Sequence, residues 1–120
     1  MSPGVRFGNV IAVSGQVSVD ETGALVGIDD VAAQARQCFA NIERILGRAG
    51  ASLSDVVQLT GYLVDPAHAG AYLEVRRATF AVDPPATTTV VVAALLGPQF
   101  LVEVQVLAVV PTTADASPDA

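Results

Sequence analysis

Residues 90–95 read Val-Val-Val-Ala-Ala-Leu, apolar at odd and even positions alike. A strand sends alternate side chains to opposite faces, so a strand of this composition asks for cover on both. The rest of the chain offers two helical segments, enough to cover one face of a sheet. The second face then calls for another subunit. Composition points the same way: 52% of the 120 residues are hydrophobic and 15% charged. That is too apolar for a disordered chain and rich for a small monomer, which must coat its outside with polar groups.

Around this strand the chain reads as one domain over residues 1–110, followed by a polar, flexible tail at 111–120. Asn9–Val19 is rich in β-branched residues and predicts a strand, interrupted at Ser14-Gly15. A glycine there marks a bulge or a place where another group approaches the backbone. Asp20-Glu21-Thr22-Gly23 predicts a turn, and residues 24–26 a short returning strand.

Val31, Ala35, Cys38, Phe39, Ile42, Ile45, Leu46 and Ala49 recur at spacings of three and four, one helical stripe. Asp29 or Asp30 caps it, and Gly50 ends it. Gln34 and Asn41 fall off the stripe. Leu53–Val64 predicts a second long strand. Asp65-Pro66 opens a second helix, whose inner face includes Tyr72, Val75, Arg76 and Phe80. Pro84-Pro85 closes it, and strands follow at Thr87–Leu95 and Phe100–Val110. The result is an α+β fold, two helices on one face of a sheet.

The charge balance excludes several functions. Twelve acids stand against six arginines and no lysine, net −6. Nucleic-acid binding rests on cationic neutralisation of phosphates, so DNA or RNA is not the expected partner. A polybasic membrane-surface role is disfavoured likewise. The N-terminal segment lacks the pattern of a signal peptide, and no apolar run is long enough to span a bilayer; a cytoplasmic location is expected.

The chemically capable residues are few. His68, the one histidine, reads as a surface residue without a nucleophile partner. Cys38 lies on the apolar stripe and reads as a small buried hydrophobe. One histidine and one cysteine far apart give no metal-ligand spacing. Arg76-Arg77 reads as a solvated basic pair. Glu103 stands between Val102 and Val104, a carboxylate in an apolar strand. It lies either on a solvated edge or in a cleft, where it would suit proton transfer.

Taken together, VSGQVSVDETGALVG, AAQARQCFANIERILGRAGASLSDVVQLTGYLVD, PPATTTVVVAAL and LVEVQVLAVV resemble the RidA/YjgF family in order and spacing over most of residues 8–110. The resemblance implies a chorismate-mutase-like fold and a homotrimer, with a small-molecule cleft at each subunit interface. It also implies hydrolysis of reactive enamines or imines, such as 2-aminoacrylate, without metal or organic cofactor. Gly15 matches the glycine of the SGQ turn, whose backbone lines the cleft. Glu103 matches a last-strand glutamate that positions the hydrolytic water. Thr87, Thr88 and Thr89 fall on the strand that lines the cleft.

Thr87, however, occupies the position where the family carries an arginine that holds the substrate carboxylate. A guanidinium offers a permanent charge and a two-pronged donor; threonine offers one neutral hydroxyl. The expected chain is thus a divergent member with weak 2-aminoacrylate deaminase activity. Its substrate either lacks the usual α-carboxylate or has its anion held elsewhere, and Arg6 is a candidate cation. The alternative class is a trimer that binds a metabolite without turnover, or a moonlighting, chaperone-like protein. An endoribonuclease label attached to some members fits this acidic chain least.

Overall fold

The computed structural model describes residues 3–111. The expected tail at 111–120 lies outside the described residues, apart from Pro111. The elements are β1 (Gly4–Phe7), β2 (Val10–Gln16), α1 (Val31–Arg48), β3 (Val56–Leu63), α2 (Ala69–Thr79), β4 (Ala86–Val91) and β5 (Val102–Val109). The five strands form one mixed sheet in the order β1-β2-β5-β3-β4. Only β3 and β4 run parallel, joined by the crossover through α2. This is the expected α+β architecture.

Both helices lie on one face, and the core sits beneath them. Val102, Val104, Val106 and Ala108 of β5, Leu59 and Leu63 of β3, and Ile11 and Val13 of β2 are buried against Ala35, Cys38, Ile42 and Leu46 of α1 and Tyr72 and Val75 of α2. Phe39 bridges the helices, stacking on Tyr72 at 6.4 Å and meeting Phe80 edge-on at 5.6 Å. Asp30, rather than Asp29, caps α1 by accepting from the Ala33 N–H at 3.0 Å. Asp65 accepts from the Ala67 N–H at 2.8 Å and opens a single 3-10 turn, Pro66–His68, ahead of α2.

Four features differ from the sequence expectation. Strand β1 was not expected. It is a four-residue edge strand, exposed at Val5, Arg6 and Phe7, and folded back through Gly8, whose φ of 60° a side chain would resist. Leu53–Asp55 is a 3-10 turn, so the long strand starts only at Val56. The returning strand at 24–26 reduces to a single bridge between Val19 and Leu25.

Fourth, β4 stops at Val91, so the apolar run leaves the strand after two of its valines. It is an edge strand with every residue exposed, Val90 at 37% and Val91 at 51%. The two-sided cover its sequence asks for is absent within one chain.

Candidate active site on the uncovered sheet face

Strand alternation splits the sheet into two chemically distinct faces. On β5, Val102, Val104 and Val106 point to the helices, which leaves Glu103, Gln105 and Leu107 on the uncovered side. Tyr62 of β3 pairs with both Glu103 and Val90, so these three share that side. Thr60 likewise pairs with Gln105 and Thr88. The Tyr62 hydroxyl donates to Gln105 Oε1 at 3.2 Å, fixing the row beside Glu103.

Gly15 meets Glu103 from the other flank. The register of β2 against β5 shifts between Val13 and Gln16, a bulge that carries Gly15 over the glutamate. Ser14 holds the bulge, donating its N–H at 2.9 Å and its hydroxyl at 3.0 Å to the Pro3 carbonyl. A Cβ built on Gly15 would lie 2.7 Å from Glu103 Cδ and closer still to Oε2. Both sequence readings of this glycine, bulge and close approach, therefore apply at once. The one ion pair among the described residues joins Arg44 to Glu21 at 3.5 Å, so Glu103 has no cation partner. A carboxylate in an apolar strand, without a structural counter-charge and flush against bare backbone, is available to act on a ligand.

The threonine run does not act as one unit. In the β3–β4 register Thr87 aligns with Leu59 and Thr89 with Gly61, both on the helix side, whereas Thr88 aligns with Thr60 on the uncovered side. Thr87 and Thr89 thus lie on the opposite face of the sheet from Glu103. Strand β4 is also two strands away from β5, about 10 Å at ordinary strand spacing. One chain brings Gly15 and Glu103 together and leaves Thr87 and Thr89 apart from them.

The remaining candidates sort by position. Cys38 is buried, and burial first, with the Glu103 charge second, pushes its thiol up to about 12. It is a packed hydrophobe, not a nucleophile. His68 is half-buried rather than a plain surface residue, with Nδ1 enclosed and unpartnered. Arg6 does not reach the site. Its guanidinium donates to the carbonyls of Gly8 and Ala49, tying β1 to the end of α1. Arg76 is not simply solvated, since it donates to Thr89 Oγ1 at 3.2 Å.

Two residues set aside as lying off the apolar stripe are in fact buried: Gln34 at 0% and Asn41 at 1% exposure. Gln34 donates to the carbonyls of Gly27 and Gln99 and accepts from the Leu101 N–H. Asn41 donates to the carbonyls of Val17 and Val19. They satisfy the backbone of the loops that flank the site, and only tertiary structure reveals that need. Among the described residues no group of three or more His, Cys, Asp or Glu could hold a metal ion, and no helix is long and apolar enough to cross a membrane.

Comparison with known proteins adds to this geometry. Residues 1–110 match the family described as Endoribonuclease L-PSP. A RutC family protein of Pyrococcus horikoshii is 35% identical over 108 residues, covering 89% of this chain and 84% of that protein. The 2-iminobutanoate/2-iminopropanoate deaminase of Salmonella typhimurium is 41% identical over 63 residues, 52% of this chain and 48% of that protein. The chain spans about half the length of some curated relatives it matches. Among solved structures, a member of the YjgF/YER057c/UK114 family from Mycobacterium tuberculosis superposes with a TM-score of 0.82 at 36% identity, covering 92% of this chain and 86% of that one.

Proposed function

The chain belongs to the Endoribonuclease L-PSP family, which includes the RidA, YjgF and RutC proteins, and on that premise we propose that it is a cofactor-independent hydrolase of a small imine or enamine, working in a cleft between the subunits of a homotrimer. The observation that carries the reading is the Glu103 carboxylate, held without a counter-charge against Gly15 on an uncovered sheet face. Deaminase names among the relatives support the reaction class. The acidic balance, net −6, argues against RNA as the substrate.

The chemistry asked of Glu103 is proton transfer. Its carboxylate takes a proton from water as the water oxygen bonds to the carbon of the N-protonated imine, and the C=N electron pair moves to nitrogen to give a neutral carbinolamine. The glutamic acid then protonates that nitrogen, the C–N bond breaks as the hydroxyl oxygen forms the C=O bond, the hydroxyl proton goes to the carboxylate, and ammonia leaves a carbonyl product. An enamine that gains a proton at carbon becomes the same N-protonated imine. General acid–base help of this kind is worth roughly 10²–10⁴-fold. The Gly15 backbone and Thr88 line the same face, while Thr87 and Thr89 enter from a neighbouring copy.

The test is to generate 2-iminobutanoate in the presence of purified protein and to follow ammonia and keto-acid release. Faster decay than in water is expected, and Glu103→Gln is expected to remove about 10²-fold or more of it. With threonine at position 87, 2-aminoacrylate is expected to turn over more slowly than in an arginine-bearing relative. Decay at the rate of water, with a keto acid still bound, would replace the hydrolase by a non-catalytic metabolite-binding trimer. That second reading is favoured by one observation, the neutral hydroxyl at residue 87.

A further inference from the structure

A groove of about 390 Å³ runs beside the edge strand on the helix-bearing side. Its walls include Phe80, Pro84 and Pro85, and its polar lining is Arg76, Arg77 and Thr87. Both charges are positive, in a chain whose net charge is −6. Neither arginine has an acidic partner, because the one ion pair among the described residues is elsewhere. Two adjacent guanidinium groups left without counter-ions repel one another, which an anion between them would relieve.

The surroundings are arranged for such an anion. Arg76 does not wave in solvent: its Nη1 donates to Thr89 Oγ1 at 3.2 Å and its guanidinium carbon lies 6.0 Å from the centre of the Tyr72 ring. This leaves most of the guanidinium donors free, in a fixed position. Tyr72 itself is fully buried and its hydroxyl has no hydrogen-bond partner. Arg76 and Thr89 lie close enough to influence that phenol, but neither meets it at hydrogen-bonding geometry.

The strand edge adds further donors. The Val92 N–H bonds inward to Leu63 at 2.8 Å. Strand alternation therefore turns the N–H groups of Thr87 and Thr89 outward to the free edge. Guanidinium, hydroxyl and free backbone N–H are all donors, and acceptor charge is what the groove lacks.

We propose that Arg76, positioned by Thr89 and seconded by Arg77, is the anion-binding residue of this protein, and that its ligand carries a carboxylate or a similar small oxyanion. The reading deepens the proposed function by assigning the charge class of the substrate. It does not depend on turnover. The charge that residue 87 cannot supply comes instead from the neighbouring helix, to the same stretch of strand.

The experiment is calorimetric titration of the intact protein with 2-oxobutanoate and, in parallel, with the neutral ketone 2-butanone. Wild type is expected to bind the keto acid and to bind the ketone at least tenfold more weakly, with the keto-acid affinity falling as salt rises. Arg76→Gln is expected to lose tenfold or more in keto-acid affinity with no change toward the ketone, the size expected for a hydrogen bond to a charged group. Arg76→Lys is expected to recover part of the loss, and Arg48→Gln, outside the groove, none of it to lose.

Thr89→Val removes the positioning hydroxyl without touching the charge. It supplies the test if the Arg76 variants fail to fold by circular dichroism, and is expected to weaken keto-acid binding severalfold. Wild type that binds the acid no better than the ketone, or folded Arg76→Gln and Thr89→Val proteins that bind it as wild type does, would overturn the proposal. Arg76-dependent binding without any imine turnover would sink the hydrolase reading alone. Imine turnover unaffected in Arg76→Gln, with unaltered keto-acid binding, would sink the anion site alone.

Discussion

At the scale of single residues, the proposed hydrolysis makes Gly15 a position where catalysis and stability should separate. Its backbone is not in the left-handed region, so alanine is locally tolerated there. The atoms a new Cβ would meet belong to the far end of the Glu103 side chain, which can swing aside at little cost. Gly15→Ala is therefore expected to change stability by less than about 1 kcal/mol, the ordinary range for such a swap in a strand. Yet it must move the carboxylate, and misplacing a reacting group by about 1 Å costs on the order of 10²-fold in rate. Thermal melts and imine turnover on the same sample check this. A variant with wild-type turnover would mean that the carboxylate does not work from the position it holds against Gly15. Thr87 is the counterpart on the other face: the resemblance alone makes it a neutral residue at an arginine's expected place, whereas the guanidinium groups that share its groove come from a different element, which the sequence does not place beside it.

At the scale of elements, the same substitution gives the opposite outcome at Gly61. This residue lies on the helix side of β3, and a Cβ there would stand 2.6 Å from Tyr72 Cζ, with the hydroxyl closer still. The ring, carried by α2, is fully buried and stacked on Phe39, and cannot swing away. Gly61→Ala is expected to destabilise the fold by about 1–3 kcal/mol through overpacking. Because α2 carries Arg76, it should also disturb keto-acid binding. Denaturant melts of the two alanine variants side by side provide the check, and equal midpoints would contradict the packing argument.

These elements also show what the sequence could tell. The α1 stripe, the Asp30 cap and the β5 alternation were readable, because each follows from a local period or a local hydrogen bond. Gln34 and Asn41 were not, because their partners are carbonyls in loops distant along the chain. Strand β1 is not legible because four residues, three of them exposed and all paired on one side only, carry almost no hydrophobic period. The Glu103–Gly15 contact was readable in halves: each residue looked unusual alone, and only the pairing of β2 with β5 joins them.

At the scale of the whole molecule, the sheet faces make an argument about assembly. Glu103 is on the uncovered face; Thr87 and the Arg76 groove are on the helix-bearing face at the free edge. A site using both must take one from each of two copies. The apolar residues of β4, exposed in one chain, would then be covered at the same contact. Light scattering is expected to give the mass of a trimer.

The sharper check is complementation. Glu103→Gln alone and Thr87→Trp alone, the latter filling the groove, should each abolish turnover while leaving the trimer mass intact. Co-expressed in equal amounts and assembled at random, they should regain activity, since about a quarter of the sites in a closed ring would pair an intact Glu103 with an intact neighbouring edge. A site contained in one chain would recover nothing, because every chain in the mixture is defective. Mixed trimers as inactive as their parents would therefore remove the shared cleft and return the search for the ligand to a single face of the sheet.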